Sequence, residues 1–540
     1  MGTPVFSHES PDDLNRSRSH GWLRYSVLAI VAFVAAGATL RATRTWGVGI
    51  SADSTVYIAA ARSLQFSGSL QSVDDLGHTI PLVHSAPLYP VILAVFSALF
   101  GMDPLASARW VSAGFFGLNI ALLGAIAWRV FLSWPFALVA VTMALVSTPM
   151  VDMHLLALSE PPYLFLELLA LFLLASHLKH PRPALLAGAG VATALAILTR
   201  YAGAALVGTE IIALLFLSKR RPRWVVMDSV IFSLLCGLPF ATWLLRNRLV
   251  SGKATTAQVS GNHIANPQIL WGGLGTLSSW LLPGSVPTAL RLAICGVLLF
   301  GFVGAFWIAT RNMKVKGGEA RLDAADPLLM GLFCVSHVAF TIAVLSFLYA
   351  DIPLDDRNFL PILCPAILVF LWMVKRVAGE AANRKSFLLL PGFALITLFC
   401  VTNAPRSAKL ASKAAKSGLG YSSRDWQTSQ VIRLLRTAGP GIPVYSTLPS
   451  AVRFLTTSPA RALPRVWDNR NAIGNVNYAQ EINQMHLALR GHPVAVVYFG
   501  GNPRSWYASE PDMRREFGLV FVDKDAVGSL DWSPELTATK

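Results

Sequence analysis

Residues 161–223 read PPYLFLELLALFLLASHLKHPRPALLAGAGVATALAILTRYAGAALVGTEIIALLFLSKRRPR. Three apolar runs, about 161–178, 184–198 and 202–217, are parted by Lys179/Arg182 and by Thr199-Arg200-Tyr201, and closed by Lys219-Arg220-Arg221-Arg223. A helical bilayer crossing needs roughly 20 predominantly apolar residues. The first run meets that length. The stretch 184–217 would be about 50 Å long as one helix at 1.5 Å per residue, too long for a single crossing, and both of its ends are cationic. It reads as a tight hairpin with Arg200 at its tip. Lysine and arginine gather in cytoplasmic loops, so Lys179/Arg182 and 219–223 are expected inside and Arg200 outside.

The rest of the chain extends this pattern. Of 540 residues, 54% are apolar and 14% charged, against about 25% charged in soluble domains. This excludes a water-soluble globular protein, a disordered chain and a disulfide scaffold. The net charge of +16 comes from 45 basic and 29 acidic residues. No basic run is interleaved with aromatics, so the excess reads as membrane anchoring and not as nucleic-acid binding. The five cysteines all lie inside apolar stretches without metal or redox spacing.

Further spans are read at about 23–40, 105–130, 134–151, 224–245, 286–310, 327–349, 359–374 and 386–401, giving about eleven. The short run 87–102 is read as a juxtamembrane or re-entrant helix on the outer side. With that choice Arg129, Lys179/Arg182, Lys219–Arg223, Arg311/Lys314/Lys316 and Lys375/Arg376/Arg384/Lys385 all fall inside. The expected organisation is a disordered cytoplasmic tail 1–22, a transmembrane unit 23–403 whose first outer loop spans about 41–104, and a small α/β domain 404–540 outside. Within that last part, 442–446 and 493–499 read as strands and 429–438 as a helix.

Chemistry is expected on the outer face. The first loop carries Asp53, Asp74, Asp75, His78 and His84, and the second carries Asp152, His154 and Glu160. Arg200 follows, then a loop at about 246–285, then Asp351 to Arg357. Ionisable groups at a membrane boundary are solvated, paired or functional. Asp53 and Tyr57 share a helix face at i, i+4, and Asp53 near a helix start can act as a cap or as a general base towards a hydroxyl. Arg357 has Asp355 and Asp356 beside it as pairing partners. Asp74, Asp75 and His78 have the composition of a divalent-cation site, without a diagnostic spacing.

The run Asp53-Ser-Thr-Val-Tyr57-Ile-Ala-Ala-Ala-Arg62-Ser-Leu64 to Gly68 resembles the first-loop signature of GT-C glycosyltransferases, polytopic enzymes that use polyprenyl-phosphate sugars. They include bacterial aminoarabinose transferases and protein mannosyltransferases. His84-Ser-Ala-Pro87-Leu-Tyr89-Pro90 resembles their Lys-Pro-Pro-Leu-Tyr segment, with His84 in place of Lys. Asp152 with Ser159-Glu160-Pro161, Thr199-Arg200-Tyr201, and Asp356-Arg357-Asn-Phe-Leu-Pro361 resemble later elements of the same family. So does the segment Tyr445 to Thr457. The acidic doublet of the family is here Asp53-Ser54.

The resemblance implies a GT-C-like helical membrane fold and a transferase in the bacterial inner membrane. It would move a sugar from a polyprenyl-phosphate carrier to an extracytoplasmic acceptor (a lipid, a polysaccharide or a protein) by an inverting displacement. Asp53 and Asp152 are the expected catalytic residues. Arg200, Arg357 and His84 are the expected donor-phosphate contacts, because guanidinium forks match phosphate oxygens. Tyr57, Glu160 and Tyr201 are further candidates. No resident cofactor or metal is expected, a divalent cation at Asp74/Asp75/His78 being the exception to test. Two rival classes stand beside this one. A transporter would use midplane charge, here Glu167 and Glu210, and a degenerate relative would only bind the lipid-linked sugar.

Overall fold

The computed structural model describes residues 11–533 apart from 75, 256–265, 311–324, 349–351, 382–385, 457, 469–472, 491 and 501–505. The first helix, α1 (Pro11–Ala42), is followed by α2 (Ala52–Ser67), a short hairpin of β1 (Gln71–Val73) and β2 (Thr79–Pro81), and α3 (Leu88–Phe100). Next come α4 (Pro104–Phe131), α5 (Trp134–Val146), α6 (Thr148–His154), α7 (Glu160–Lys179), α8 (Pro183–Thr199), α9 (Ala204–Leu217) and α10 (Pro222–Ser251). The helical part closes with α11 (Pro267–Ser279), α12 (Thr288–Thr310), α13 (Ala325–Phe347), α14 (Asp356–Ala381) and α15 (Leu390–Ser417).

Among the described residues six helices are long and apolar enough to cross a bilayer, namely α4, α7, α10, α12, α13 and α14. A seventh results if α5 and α6, bent by 60° where they meet, are taken together. Shorter apolar helices lie at Ser26–Ala42, Leu88–Phe100, Pro183–Thr199 and Tyr201–Leu217. Two expectations change. Residues 11–22, expected in a disordered tail, belong to α1; Pro11 followed by Asp12 and Asp13 is a residue order that favours a helix start. Residues 1–10 of that tail lie outside the described residues. The loop expected from 246 begins later, because α10 runs on through Arg246, Asn247 and Arg248 to a left-handed Gly252. Charge alone does not stop a helix.

Helix α7 is the central strut. It packs against α4, α8 and α13 and at 20 residues is about 30 Å long. At its Lys179 end, Asp326 is fully buried between Lys179 and Arg129. Nearby, Asp228 accepts from Arg220 at 2.5 Å and lies 3.3 Å from His177. The opposite end, at Glu160, carries a separate set of charges, described below.

After α15 the chain forms α16 (Arg424–Gln427), α17 (Gln430–Ala438), β3 (Val444–Ser446), α18 (Pro449–Leu455), β4 (Ala460–Ala462), β5 (Trp467–Asp468) and β6 (Ile473–Gly474). It ends with α19 (Tyr478–Leu489), β7 (Ala495–Phe499), α20 (Glu510–Phe517), β8 (Val520–Lys524) and β9 (Gly528–Trp532). The strands form a mixed sheet in the order β4-β3-β7-β9-β8. Strand β3 runs parallel to β4 and β7, and helices make those crossovers; β9 runs antiparallel to β7 and β8. Side chains alternate as a two-sided sheet requires. Tyr445 and Val496 join Met485, Met513 and Phe517 on one face. Val444, Val497 and Leu530 face the other way, into a core continuous with that of the helices.

Three distant segments meet beside α2. Gly49 donates to the Leu155 carbonyl and accepts from Ala157 N–H, each at 2.9 Å, while Tyr421 N–H donates to the Ile50 carbonyl at 2.8 Å. Residue 420 must be glycine here: its φ is +55°, and a Cβ would stand 2.0 Å from the Ile50 oxygen.

Candidate functional site

Helix α2 starts immediately after this three-way contact. Ser51 is its N-cap and forms a reciprocal capping box with Ser54. Asp53 therefore sits in the first turn without being the capping side chain. It is 49% exposed, and its Oδ2 lies 2.8 Å from Arg357 Nη1. Arg357, the second residue of α14, also donates through Nε to Glu160 Oε1 at 2.6 Å. The same oxygen lies 2.5 Å from Arg200 Nη1. Two arginines and two carboxylates thus alternate in the order Asp53, Arg357, Glu160, Arg200. Glu160 is 1% exposed and occupies the first position of α7, where the helix dipole favours negative charge. Arg200 Nε is buried with no hydrogen-bond partner among the described residues.

Arg357 is drawn away from its chain neighbours. No ion pair with Asp355 or Asp356 forms among the described residues; instead Asp356 accepts from Trp280 Nε1 at 2.8 Å. Adjacent side chains on a helix point about 100° apart, so Asp356 and Arg357 face different surroundings. Outside the helix, burial raises the Asp355 carboxyl above the usual range although Arg357 opposes this.

Tyr57, one turn after Asp53, is buried against Tyr89 in an edge-to-face pair with centroids 5.2 Å apart. Its hydroxyl lies 3.4 Å from Ser159 Oγ, which also accepts from Arg200 at 3.5 Å. Burial, with the charges of Asp53 and Glu160, pushes the phenol up to about 12. Tyr57 therefore holds its proton at neutral pH and can only offer a neutral hydroxyl.

At the hairpin tip Tyr201 follows Arg200. Its hydroxyl donates towards the carbonyls of Val83 and Ser85, at 3.5 and 3.4 Å, and accepts from Trp243 Nε1 at 2.9 Å. His84 is exposed between those two carbonyls, which puts its backbone beside the tip. Asp152 stands apart. It is half-buried on α6, and the charges acting on it are those of Asp356 and Lys413. Asp74 accepts from the Leu76 and His78 amides and lies 3.4 Å from the His78 ring. Asp75 lies outside the described residues, and among those described no three potential metal ligands gather.

Sequence reading passed over several supports. Ser159 appeared only within a motif, yet it touches Tyr57 and Arg200. Trp243 fixes Tyr201, and Arg246 donates to the Leu82 carbonyl at 2.9 Å, tying α10 to the first loop. Nothing local distinguishes these residues from ordinary interfacial aromatics and cations. Trp280, whose indole holds Asp356, also lines an apolar cavity of about 490 Å³ with Leu277, Phe302, Leu363, Phe370 and Phe399. The charged row and the apolar cavity are therefore neighbours along α14.

Residues 84–244 match the family model described as dolichyl-phosphate-mannose-protein mannosyltransferase. No curated protein sequence matches significantly. Among solved structures, ArnT from Cupriavidus metallidurans is similar in the apo state at 16% identity and TM-score 0.53, covering 95% of this chain and 98% of that one. The same protein bound to undecaprenyl phosphate matches over the same shares with a TM-score of 0.51. The Archaeoglobus fulgidus oligosaccharyltransferase in complex with Zn and sulfate matches at 14% identity and TM-score 0.53, covering 87% of this chain and 68% of that one. The family match and these folds bear out the resemblance read from the sequence: this chain is a membrane protein with the fold of the GT-C glycosyltransferases.

Proposed function

We propose that the protein is a GT-C glycosyltransferase of the bacterial inner membrane. It moves a sugar from a polyprenyl-phosphate carrier to a hydroxyl-bearing acceptor on the extracytoplasmic face. The observation that carries this reading is the alternating row Asp53–Arg357–Glu160–Arg200. Arg357 and Arg200 are the phosphate contacts, supported by their guanidinium geometry and by the buried Nε of Arg200. The exposed His84 lies in the backbone segment that Tyr201 holds beside them. The polyprenyl chain fits the apolar cavity next to Trp280. The similar ArnT structure with undecaprenyl phosphate bound supports a lipid-phosphate donor.

In the reaction the phosphate of the donor leaves with its polyprenyl chain, and the acceptor hydroxyl forms the new bond to the anomeric carbon from the opposite side. The leaving group is good without acid catalysis. Asp53 is the general base: Arg357 holds one of its oxygens, and the carboxylate remains half exposed and so open to an acceptor hydroxyl. Fixed positive charge at Arg357 and Arg200 stabilises the developing phosphate dianion. Asp152, set apart from this row on α6, helps orient the acceptor or the base. In this reading the chain crosses the membrane about eleven times, with the helices below the length for a full crossing completed by their flanks, and the part after residue 403 is extracytoplasmic.

The test uses purified protein with a radiolabelled polyprenyl-phosphate sugar. Asp53→Asn keeps shape and removes the base. Turnover is expected to fall by about 10²–10⁴-fold while polyprenyl-phosphate binding stays near that of the wild type. Transfer by Asp53→Asn at the wild-type rate, with chemistry rate-limiting, would refute the assignment.

A further inference from the structure

Beside the Ile50–Gly420 contact lies a second cavity, of about 280 Å³. Its walls come from three places. The end of α15 gives Lys413 and Ser417, the following turn and α16 give Gly420, Ser423, Asp425 and Trp426, and the sheet gives Gly500 with the β8–β9 turn. The lining differs sharply from that of the apolar cavity. It offers an ammonium, a carboxylate, two hydroxyls, glycine backbone and one indole.

These groups define a ligand class. Lys413 and Asp425 carry opposite charges, so the lining has no net preference for an anion. An ammonium, a carboxylate and hydroxyls together both donate and accept, as an array of sugar hydroxyls requires. Trp426 supplies a flat apolar surface for ring C–H groups. It is half-exposed and is held in place by Tyr421 and Phe499, at centroid distances of 5.0 and 4.8 Å. The volume falls just below the range of drug-sized ligand pockets, about 300–1,000 Å³, and suits one sugar unit.

The cavity also lies close to the charged row. The wall residue Gly420 packs on the Ile50 carbonyl, and Asp53 is three residues farther along the same segment. Lys413 lies near enough to Asp152 for its charge to act there.

We propose that this cavity seats a neutral sugar unit of the acceptor and so helps decide which saccharide reaches Asp53. This rests on the transferase reading above. The lipid-linked donor approaches through α14 and the apolar cavity, and the acceptor is held between the end of α15 and the sheet loops.

The experiment uses the full-length protein in lipid nanodiscs. Saturation-transfer NMR is recorded with D-mannose, D-galactose, L-arabinose and N-acetyl-D-glucosamine as probes. Wild type is compared with Ser423→Trp, which fills the cavity, and with Lys413→Ala/Asp425→Ala, which removes two exposed side chains at little risk to folding. At least one sugar should bind the wild type, with Kd raised about tenfold or more in both variants, the equivalent of about 1.4 kcal/mol. Undecaprenyl phosphate should bind all three proteins alike. Absence of sugar binding to the wild type, or equal binding by all three proteins, would overturn the proposal. Failure of the wild type to bind undecaprenyl phosphate would overturn the donor reading instead.

Discussion

Arg357→Lys separates the fold-holding role of the arginine from the catalytic one proposed for it. The guanidinium makes two contacts from different nitrogens, Nη1 to Asp53 at 2.8 Å and Nε to Glu160 at 2.6 Å. A lysine ammonium is a point charge on a flexible stem and cannot hold both positions. It should keep Glu160, because a fully buried carboxylate is costly to leave short of a partner. Asp53, half exposed, is then released to water. Losing a partly exposed ion pair costs about 0–1 kcal/mol, so the melting temperature should move by only a few degrees. Catalysis should suffer more. Misplacing a reacting group by about 1 Å can cost about 10²-fold, and each tenfold loss in kcat/KM is about 1.4 kcal/mol of transition-state stabilisation. We therefore expect kcat/KM to fall roughly 10- to 100-fold, mostly in kcat. The assay follows label from a polyprenyl-phosphate sugar, with thermal melting on the same preparation. Arg357→Ala is the contrasting case: it leaves Glu160 with Arg200 alone and should destabilise by more than Arg357→Lys but by less than the about 3–5 kcal/mol that an unpartnered buried charge costs. Should Arg357→Lys keep wild-type kcat/KM, the bridge would not position Asp53.

Arg200→Ala should weaken undecaprenyl-phosphate binding by about tenfold or more, in line with the loss of a charge-assisted contact of about 1.5–3 kcal/mol; unchanged affinity in equilibrium binding would remove it from the donor site. Gly420→Ala drives a Cβ into the Ile50 carbonyl, so activity and melting temperature should fall together, and an active, stable variant would show that this contact is not needed. Asp525 gives a pH signature. Burial would raise its carboxyl, but hydrogen bonds from Ser429 and from the amides of Val527, Gly528 and Val431 outweigh this and hold it below the usual range. A lowered folded-state value stabilises above the unfolded pKa of about 3.9 and fades as pH falls through the folded one. Asp525→Ala should therefore melt earlier than wild type at neutral pH, and the gap should close in acid; a gap that persists in acid would assign the loss to packing.

The helical plan was legible wherever apolar runs alternate with cationic turns. The hairpin 184–217 shows why: length forbids one crossing, and the charges at its ends forbid most others. The helical state of residues 11–22 was not legible, because a polar composition reads as loop whether or not the next span extends its helix. At the site, Asp53 and Arg357 stood out as charges in short motifs. Their pairing did not, since Asp355 and Asp356 are the nearest acids in sequence and the partners come instead from the starts of α2 and α7. Glu160 is informative for the same reason. Its two arginines come from the turn after α8 and the start of α14, and only the packing of those helices around α7 brings them to one oxygen.

The contact of residue 50 with both 421 and, through Gly49, 155–157 has a temporal meaning. During synthesis the segment carrying Asp53 emerges early, but its backbone neighbour Tyr421 is not made until every helix through α15 has been synthesised. The nascent chain thus holds the segment of Asp53 in an unfinished setting until about four-fifths of its residues are made. If the proposed transfer is right, the site takes its final shape only when residue 421 reaches the Ile50 carbonyl, so a late backbone contact sets the timing of an early segment.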